Sequence, residues 1–212
     1  EIVFTSGATE ANNLAVLGIA RSLHGQGRHL VVSSLEHDAV LAPARALAKE
    51  GWQLTVVDCD AQGIIEPARV AAALRPDTVL VSIIAAQNEI GTLQPLAGIG
   101  EICRDRGVVF HSDAAQAGGR IPLPVRELGL GALSLSAHKM YGPKGMGALF
   151  VRRQPRVQIE AQMHGGNHER GLRSGTLATH QIVGMGEAAR IAMGSMAEEA
   201  VRLTALRRRF WD

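Results

Sequence analysis

A lysine and an aspartate each close an apolar, strand-like run in this sequence. Lys139 ends the segment 133–139, and a glycine-rich loop at 141–147 follows at once. Asp113 ends the segment 108–113. Open α/β sheets bind their ligands at the carboxyl ends of the strands. We therefore expect the amine of Lys139 and the carboxylate of Asp113 to face one crevice.

An amine and a carboxylate in one crevice match the needs of pyridoxal 5'-phosphate (PLP). This cofactor forms a Schiff base with a lysine, and an acid beside its pyridine nitrogen keeps that nitrogen protonated, so that the ring withdraws electrons from a substrate carbanion. A single lysine after a strand is more often a solvated loop residue. The prediction of PLP therefore depends on Lys139 and Asp113 together.

Further polar residues fall at predicted strand ends. The segment 5–10 (TSGATE) follows the first strand, and a helix beginning there would offer backbone N–H groups to a phosphate. A plain threonine N-cap is an equal alternative for that segment. His37 is expected to cap a helix or to cover a planar ring. Asn88 lies at the same edge, and Gln116 would project beside Asp113 if a helical turn follows the strand.

Strand-like and helical segments alternate along the chain, which is typical of a parallel sheet covered by helices. The sequence therefore predicts an α/β fold of three layers, with a mostly parallel sheet flanked by helices. The near-continuous apolar run at 79–84 indicates a central strand buried on both faces. Strands are predicted at 2–5, 29–33, 53–58, 79–84, 108–112, 132–136 and 148–152. Helices are predicted at 10–24, 39–50, 67–74, 96–106 and from 179 onward.

Composition argues against several classes of function. The 212 residues carry 22 basic and 20 acidic side chains, and aromatic residues make up 3%. Such a chain has neither the basic footprint nor the stacking platforms of a nucleic-acid-binding protein. No apolar run approaches membrane-spanning length, so no membrane partner is expected. His164 and His168 are separated by glycines and lack a nearby cysteine, so no metal site is expected.

The cysteines and the chain ends indicate a cellular location and a domain plan. Cys59 and Cys103 lie far apart, which favours a reduced, cytoplasmic protein. The chain opens in a strand without an initiator methionine, and the helical pattern from 179 has no stop signal. We expect a piece of a longer chain, in which 1–178 form a PLP-binding large domain and 179–212 form a helix leading toward a further, smaller domain.

Six segments in this order resemble the signature blocks of cysteine desulfurases. These enzymes belong to the class V aminotransferase superfamily, within the fold type I group of PLP enzymes. The likeness is greatest to the housekeeping type that serves iron-sulfur cluster assembly, because 141–145 (YGPKG), 163–166 (MHGG) and 179–186 (THQIVGMG) also match. The six segments are 4–10 (FTSGATE), 36–37 (EH), 88–91 (NEIG), 111–116 (HSDAAQ), 134–139 (SLSAHK) and 168–176 (HERGLRSGT).

The resemblance implies a role for each matching residue. Lys139 would hold the cofactor and carry protons, Asp113 would pair with the pyridinium nitrogen, and His37 would stack on the ring. Asn88 and Gln116 would contact the side of the ring that bears the phenolic oxygen. The phosphate ligands would be Ala8, Thr9, Ser136, His138 and, from a second subunit, Thr176. The protein is accordingly expected to form a homodimer, as members of the family do.

The resemblance also implies an activity. Such enzymes take sulfur from L-cysteine, leave L-alanine, and pass the sulfur as a persulfide to an iron-sulfur scaffold or sulfur-carrier protein. Their nucleophilic cysteine lies on a mobile loop in the C-terminal half, and neither Cys59 nor Cys103 matches its context. The substrate-binding arginine is also expected beyond Asp212. We therefore expect the 212 residues alone to be inactive.

Three other readings remain open from the sequence. A class V aminotransferase or a selenocysteine lyase would share the lysine, aspartate and histidine with a desulfurase. A PLP-binding module without turnover would also fit a chain that lacks the nucleophile. Release of alanine and sulfide from L-cysteine by the intact protein separates a desulfurase from these alternatives.

Overall fold

The computed structural model describes residues 1–211, in which seven strands form one sheet. The strands are β1 (Ile2–Thr5), β2 (His29–Ser33), β3 (Gln53–Val57), β4 (Thr78–Ser82), β5 (Val109–Asp113), β6 (Ala132–Ser136) and β7 (Gly147–Val151). The α-helices are α1 (Ala8–Ser22), α2 (Asp38–Lys49), α3 (Pro67–Ala73), α4 (Leu96–Asp105) and α5 (Thr179–Trp211). Two 3₁₀ turns, at Ala137–Met140 and His168–Gly171, complete the regular structure.

The sheet is mostly parallel, with the strand order β1-β7-β6-β5-β4-β2-β3. Only β7 runs against its neighbours, β1 and β6. Helices α1 and α2 pack together over one apolar cluster, and α3 and α4 pack together over another. On β4, Leu80 belongs to the first cluster and Val81 to the second, because successive side chains point to opposite faces. The predicted three-layer α/β fold is confirmed.

Predicted and observed boundaries differ by one or two residues. The apolar run at 79–84 supplies most of the central strand β4, which ends at Ser82, and every residue of β4 is buried. Helix α1 begins at Ala8 rather than residue 10, because Gly7 takes the N-cap position. The predicted strand at 108–112 is displaced by one residue, so that Asp113 is the last residue of β5 itself.

The strand ends bring several site residues to one edge. Because β7 is antiparallel, it begins where β1 and β6 end, and Gly147 is in register with both Thr5 and Ser136. One strand further along, Asp113 is in register with Ser134 of β6. The first turn of α1, the end of β6 and the end of β5 therefore lie side by side.

Helix α5 differs from the others because most of its surface is exposed. Met185 is its one buried residue among 179–211, while Phe210 and Trp211 are 89% and 83% exposed. Asp212, which the sequence analysis assigns to the same helix, lies outside the described residues. Within residues 1–211, the helices include none with a long enough apolar stretch for a bilayer crossing.

A buried histidine links three neighbouring strands. His111 of β5 has no exposed surface, and its Nδ1 and Nε2 lie 2.8 Å from Ser82 Oγ of β4 and 2.9 Å from Ser134 Oγ of β6. Burial lowers the pKa of His111 to about 3, since a charged imidazole would lose its hydration there. The ring is therefore neutral in the folded protein at neutral pH.

His111 should make folding stability depend on pH on the acid side. The unfolded histidine has a pKa near 6.5, whereas the folded one stays neutral down to about pH 3. As pH falls from 6.5 toward 3, the unfolded state therefore binds a proton that the folded state does not bind, and the unfolding free energy falls. Between pH 7 and pH 5, the wild type should lose roughly 2 kcal/mol more unfolding free energy than His111→Gln. Urea denaturation at the two pH values measures this. Exposed His24→Gln is the control, and equal losses in wild type and His111→Gln would refute the assignment.

Candidate functional site

Asp113 is a buried carboxylate with two neutral donors and no ion-pair partner among the described residues. Its side chain is 3% exposed; Oδ1 accepts from the Ala115 amide at 2.9 Å and Oδ2 from Asn12 Nδ2 at 2.7 Å. No ion pair within residues 1–211 includes Asp113. Burial raises its pKa, although the bonds from Ala115 and Asn12 and the charge of His37 act in the opposite direction. A buried carboxylate in this position is stabilised by a cationic ligand.

Asn12 is a site residue that the sequence analysis missed. It lies on α1, one helical turn beyond Ala8, and is fully buried. Its Nδ2 donates to Asp113, while its Oδ1 is buried without a hydrogen-bond partner in the described residues. The available signal was a polar residue on the buried face of an apolar helix. The local pattern could not predict its partner, Asp113, which is 101 positions away in the chain.

The turn before α1 presents free backbone amides at its N-terminus. Gly7 holds the N-cap position with no side-chain cap, while Thr5 Oγ1 donates to the Gly7 carbonyl at 3.0 Å. The alternative of a threonine N-cap is therefore wrong. The first amides of α1, including those of Ala8 and Thr9, have no partner within the helix and lie at the positive end of its dipole. Such a turn has the donor set that suits a phosphate.

Gly147 determines how closely β7 approaches this turn. A Cβ at position 147 would lie 2.6 Å from the Gly7 Cα and 2.7 Å from the Leu135 carbonyl oxygen. Gly7 itself has a φ of 154°, which a side chain would strain. Two glycines thus meet where β7 approaches the turn before α1. The local sequence gives no sign of this role of Gly147, because the contact depends on strand register.

Ser136 and His138 extend the same region from the end of β6. Ser136 is buried, His138 is exposed, and Ser136 Oγ lies 2.9 Å from His138 Nδ1. Ser136 is in register with Gly147, which contacts the Gly7 turn. The hydroxyl and imidazole predicted as phosphate ligands therefore lie beside the predicted backbone ligands.

Lys139 lies on the 3₁₀ turn after β6 and is half-buried. Its backbone carbonyl accepts from Arg120 at 3.3 Å. The side chain lines a groove of about 450 Å³ between this turn and α5, and Asp113 does not line that groove. The structure places Lys139 and Asp113 at the ends of neighbouring strands. Within residues 1–211, no ion pair or hydrogen bond joins their side chains.

His37 caps helix α2, as the simpler of its two predicted roles requires. Its Nδ1 accepts from the Ala39 amide at 3.0 Å, so Nδ1 carries no proton in this arrangement. The cap holds one edge of the imidazole, and the residue is otherwise exposed. A positive charge on His37 would lower the pKa of the Asp113 carboxyl, but with Nδ1 unprotonated the ring carries no such charge.

Gln116 and Asn88 lie at the same edge of the sheet, but fewer contacts support their predicted roles. The amides of Ala117 and Gly118 donate to Ala114, so a helical turn does follow β5, and Gln116 is half-buried on it. Asn88 is exposed in the turn after β4. In the part of the chain described, no hydrogen bond joins either side chain to the other site residues.

An ion pair connects the turn at Gly7 with the segment that carries Thr176. Arg173 donates to both carboxylate oxygens of Glu10, at 2.7 and 3.2 Å, and Glu10 also accepts from the Ser6 amide at 2.7 Å. Burial alone would raise the pKa of Glu10, but the bonds from Arg173 and Ser6 hold it below its usual value. Thr176 is exposed and, with Ser6 and Arg173, lines a cavity of about 90 Å³.

The two cysteines are poor candidates for a nucleophile. Cys103 is buried in α4, and burial raises the pKa of its thiol to about 12. The thiolate is the reactive form, so Cys103 is inert at neutral pH. Cys59 is half-buried just after β3 and packs against the core on the side of α3 and α4.

Comparison with known proteins identifies the family. The model of the class-V aminotransferases matches residues 1–208. A cysteine desulfurase IscS from Tolumonas auensis is 58% identical over the whole chain, which covers 52% of that relative. A solved NifS-like protein superposes with a TM-score of 0.94 at 37% identity, over 99% of this chain and 57% of the other. A solved structure described as SspA in complex with cysteine has a TM-score of 0.86 at 42% identity, over 89% and 55%.

The chain spans about half the length of the curated relatives that it matches. The family model nevertheless extends over nearly all of it, from β1 to α5. The buried aspartate, the amide-rich turn and the lysine after β6 all fall within the matched region. This chain belongs to the class-V aminotransferase family.

Proposed function

We propose that this chain is the PLP-binding part of a cysteine desulfurase. The observation that carries the proposal is the buried Asp113, which has donors on both oxygens and lacks an ion-pair partner within residues 1–211. A protonated pyridine nitrogen supplies the cation that such a carboxylate requires. The residues present therefore fit the cofactor.

The phosphate of the cofactor would be held at the Gly7 turn. Ala8 and Thr9 supply amides, Ser136 supplies a hydroxyl, and His138 supplies an imidazole. Helix α1 would serve both ends of the cofactor, because its first turn faces the phosphate and Asn12, one turn later, orients Asp113. The distance between the two binding points is thus determined by one rigid element.

Lys139 would supply the amine that attaches the cofactor and would afterwards carry protons at Nζ. His37 would cover one face of the ring, held in orientation by its bond from Ala39. When bound, PLP supplies the electron-withdrawing ring that stabilises a substrate carbanion.

The substrate of the intact protein would be L-cysteine, which would lose its sulfur to a protein thiolate and leave L-alanine. The relatives named cysteine desulfurase and the structure described as a complex with cysteine favour this chemistry over transamination. The persulfide would pass to an iron-sulfur scaffold or a sulfur carrier. Because Cys103 is inert and Cys59 does not match the nucleophile's context, the 212 residues alone should bind PLP without desulfuration.

The assembly and location follow as further parts of this proposal. Residues 1–178 would form the cofactor domain, and α5 would lead toward a smaller domain. Thr176, exposed on the segment that Arg173 anchors, would reach the phosphate of a second subunit in a homodimer. Two unpaired cysteines favour a reducing compartment, the cytoplasm.

Lys139→Ala should abolish covalent attachment of PLP while the fold is retained. The chain has three lysines, Lys49, Lys139 and Lys144, so borohydride reduction followed by peptide mass spectrometry can locate the adduct. The wild type and the matched control Lys144→Ala should carry it on Lys139. An adduct on Lys49 or Lys144 in the wild type, or one that persists in Lys139→Ala, would reject the assignment.

Asp113→Asn should separate cofactor binding from folding stability. Because the variant lacks the charge of Asp113, it should bind PLP at least tenfold more weakly, which corresponds to about 1.4 kcal/mol. The unfolding free energy without PLP should stay equal or rise, because a buried charge is removed and Asn12 can rotate its unpartnered Oδ1 toward the new amide. Titration with PLP measures the affinity, and urea denaturation measures the unfolding free energy. Unchanged affinity would exclude the pairing with the pyridine nitrogen.

Gly147→Ala should damage the phosphate end of the site. The new Cβ would overlap Gly7 and the Leu135 carbonyl, which should cost roughly 1–3 kcal/mol and weaken PLP binding. Gly186→Ala on α5 is the matched control, since its added Cβ meets nothing within 4 Å. Equal PLP affinity for Gly147→Ala and Gly186→Ala would show that the turn does not contact the phosphate.

A further inference from the structure

Glu36 is a buried acid whose role the proposed chemistry leaves open. It lies in the short turn between β2 and α2, is 6% exposed, and immediately precedes His37. Glutamate is rarely buried in this way unless it is paired. No ion pair within residues 1–211 includes Glu36. Its burial therefore needs a structural reason.

The two oxygens of Glu36 have different surroundings. Oε1 accepts from Ser33 Oγ at 2.5 Å and from the Ile84 amide at 2.6 Å. Ser33 ends β2, and Ile84 follows the neighbouring strand β4, so this oxygen ties the turn to both strands. Oε2 is buried and has no hydrogen-bond partner among the described residues.

The charges near Glu36 favour a neutral acid. Asp113 of β5 is a second buried carboxylate close enough to act on Glu36, and His37 is the neighbouring titratable group at the start of α2. Burial raises the pKa of Glu36 to about 8; the bonds from Ser33 and Ile84 oppose the rise, and the charge of Asp113 adds to it. Two desolvated carboxylates rarely both ionise.

Asp113 is the better of the two sites for the charge. Both of its oxygens accept hydrogen bonds, whereas a charged Glu36 would leave Oε2 buried and unsolvated. Because Oε1 already accepts two bonds, a proton on Glu36 belongs on Oε2. An unpartnered hydroxyl costs less to bury than an unpartnered carboxylate oxygen.

We propose that Glu36 is an uncharged positioning residue, with its proton on Oε2, which anchors the turn that carries His37 and leaves the negative charge of the site on Asp113. The proposal rests on the proposed function, because it takes His37 to cover the face of the cofactor ring and Asp113 to pair with the ring nitrogen. The role of Glu36 is to position the turn through the Ser33 and Ile84 bonds. It needs no contact with the cofactor.

Glu36→Gln reproduces the neutral acid, since its carbonyl can accept from Ser33 and Ile84 while its amide replaces the Oε2 hydroxyl. This variant should therefore change PLP affinity by less than about threefold. Glu36→Ala leaves two buried donors without an acceptor and should weaken PLP binding by roughly tenfold or more. Exposed Glu101→Gln on α4 serves as the matched control.

The protonation of Glu36 can be measured without PLP by infrared spectroscopy of the folded protein. At pH 7, the wild type and Glu101→Gln should show the carbonyl band of a protonated carboxylic acid, and Glu36→Gln should lack it. In addition, the wild type should lose stability relative to Glu36→Gln as pH rises from about 4.5 to about 8, because the unfolded acid ionises first. This difference should be constant above the folded pKa.

Two results would overturn the proposal. One is a wild-type spectrum at pH 7 with no acid band that depends on Glu36. The other is a tenfold or greater loss of PLP affinity in Glu36→Gln, which would show that the charge of Glu36 matters. Failure of the wild type to bind PLP would instead reject the proposed function, and the infrared result would still decide the protonation state.

Discussion

The burial of the Asp113 carboxylate is the constraint on which the rest of the site depends. A charge at 3% exposure is tolerated only if hydrogen bonds and a cation compensate the lost hydration. The protein supplies the hydrogen bonds, from the Ala115 amide and from Asn12, and we propose that a ligand supplies the cation. The neighbouring acid Glu36 is proposed to stay neutral for the same reason, since a second charge would raise the cost.

The sheet places the other residues of the site at fixed positions relative to Asp113. Asp113 ends β5, Ser136 ends β6, and the antiparallel β7 begins with Gly147 at the same edge. Helix α1 packs across this edge, so that its first turn and Asn12 contact the two ends of the site. On α1, Ala8 in the first turn and Asn12, which donates to Asp113, lie one helical turn apart, so one rigid helix sets the spacing between the Gly7 turn and the donor to the carboxylate.

Local sequence patterns predicted the elements but not all of their contacts. Hydrophobic periodicity and strand-end residues were sufficient to predict the three-layer sheet and to select Asp113 and Lys139. Asn12 and Gly147 were missed because their roles depend on residues distant in the chain, Asp113 and Gly7. Periodicity carries no information on which strands become neighbours. The groove beside Lys139 also depends on α5, whose packing the local pattern did not reveal.

We propose above all that Asp113 holds a positive charge on the pyridine nitrogen of PLP. Nitrogen-15 NMR of protein reconstituted with ring-labelled PLP measures that charge directly. We expect a protonated ring nitrogen at neutral pH in the wild type and an unprotonated one in Asp113→Asn. An unprotonated nitrogen in the wild type, or the same resonance in both proteins, would contradict it.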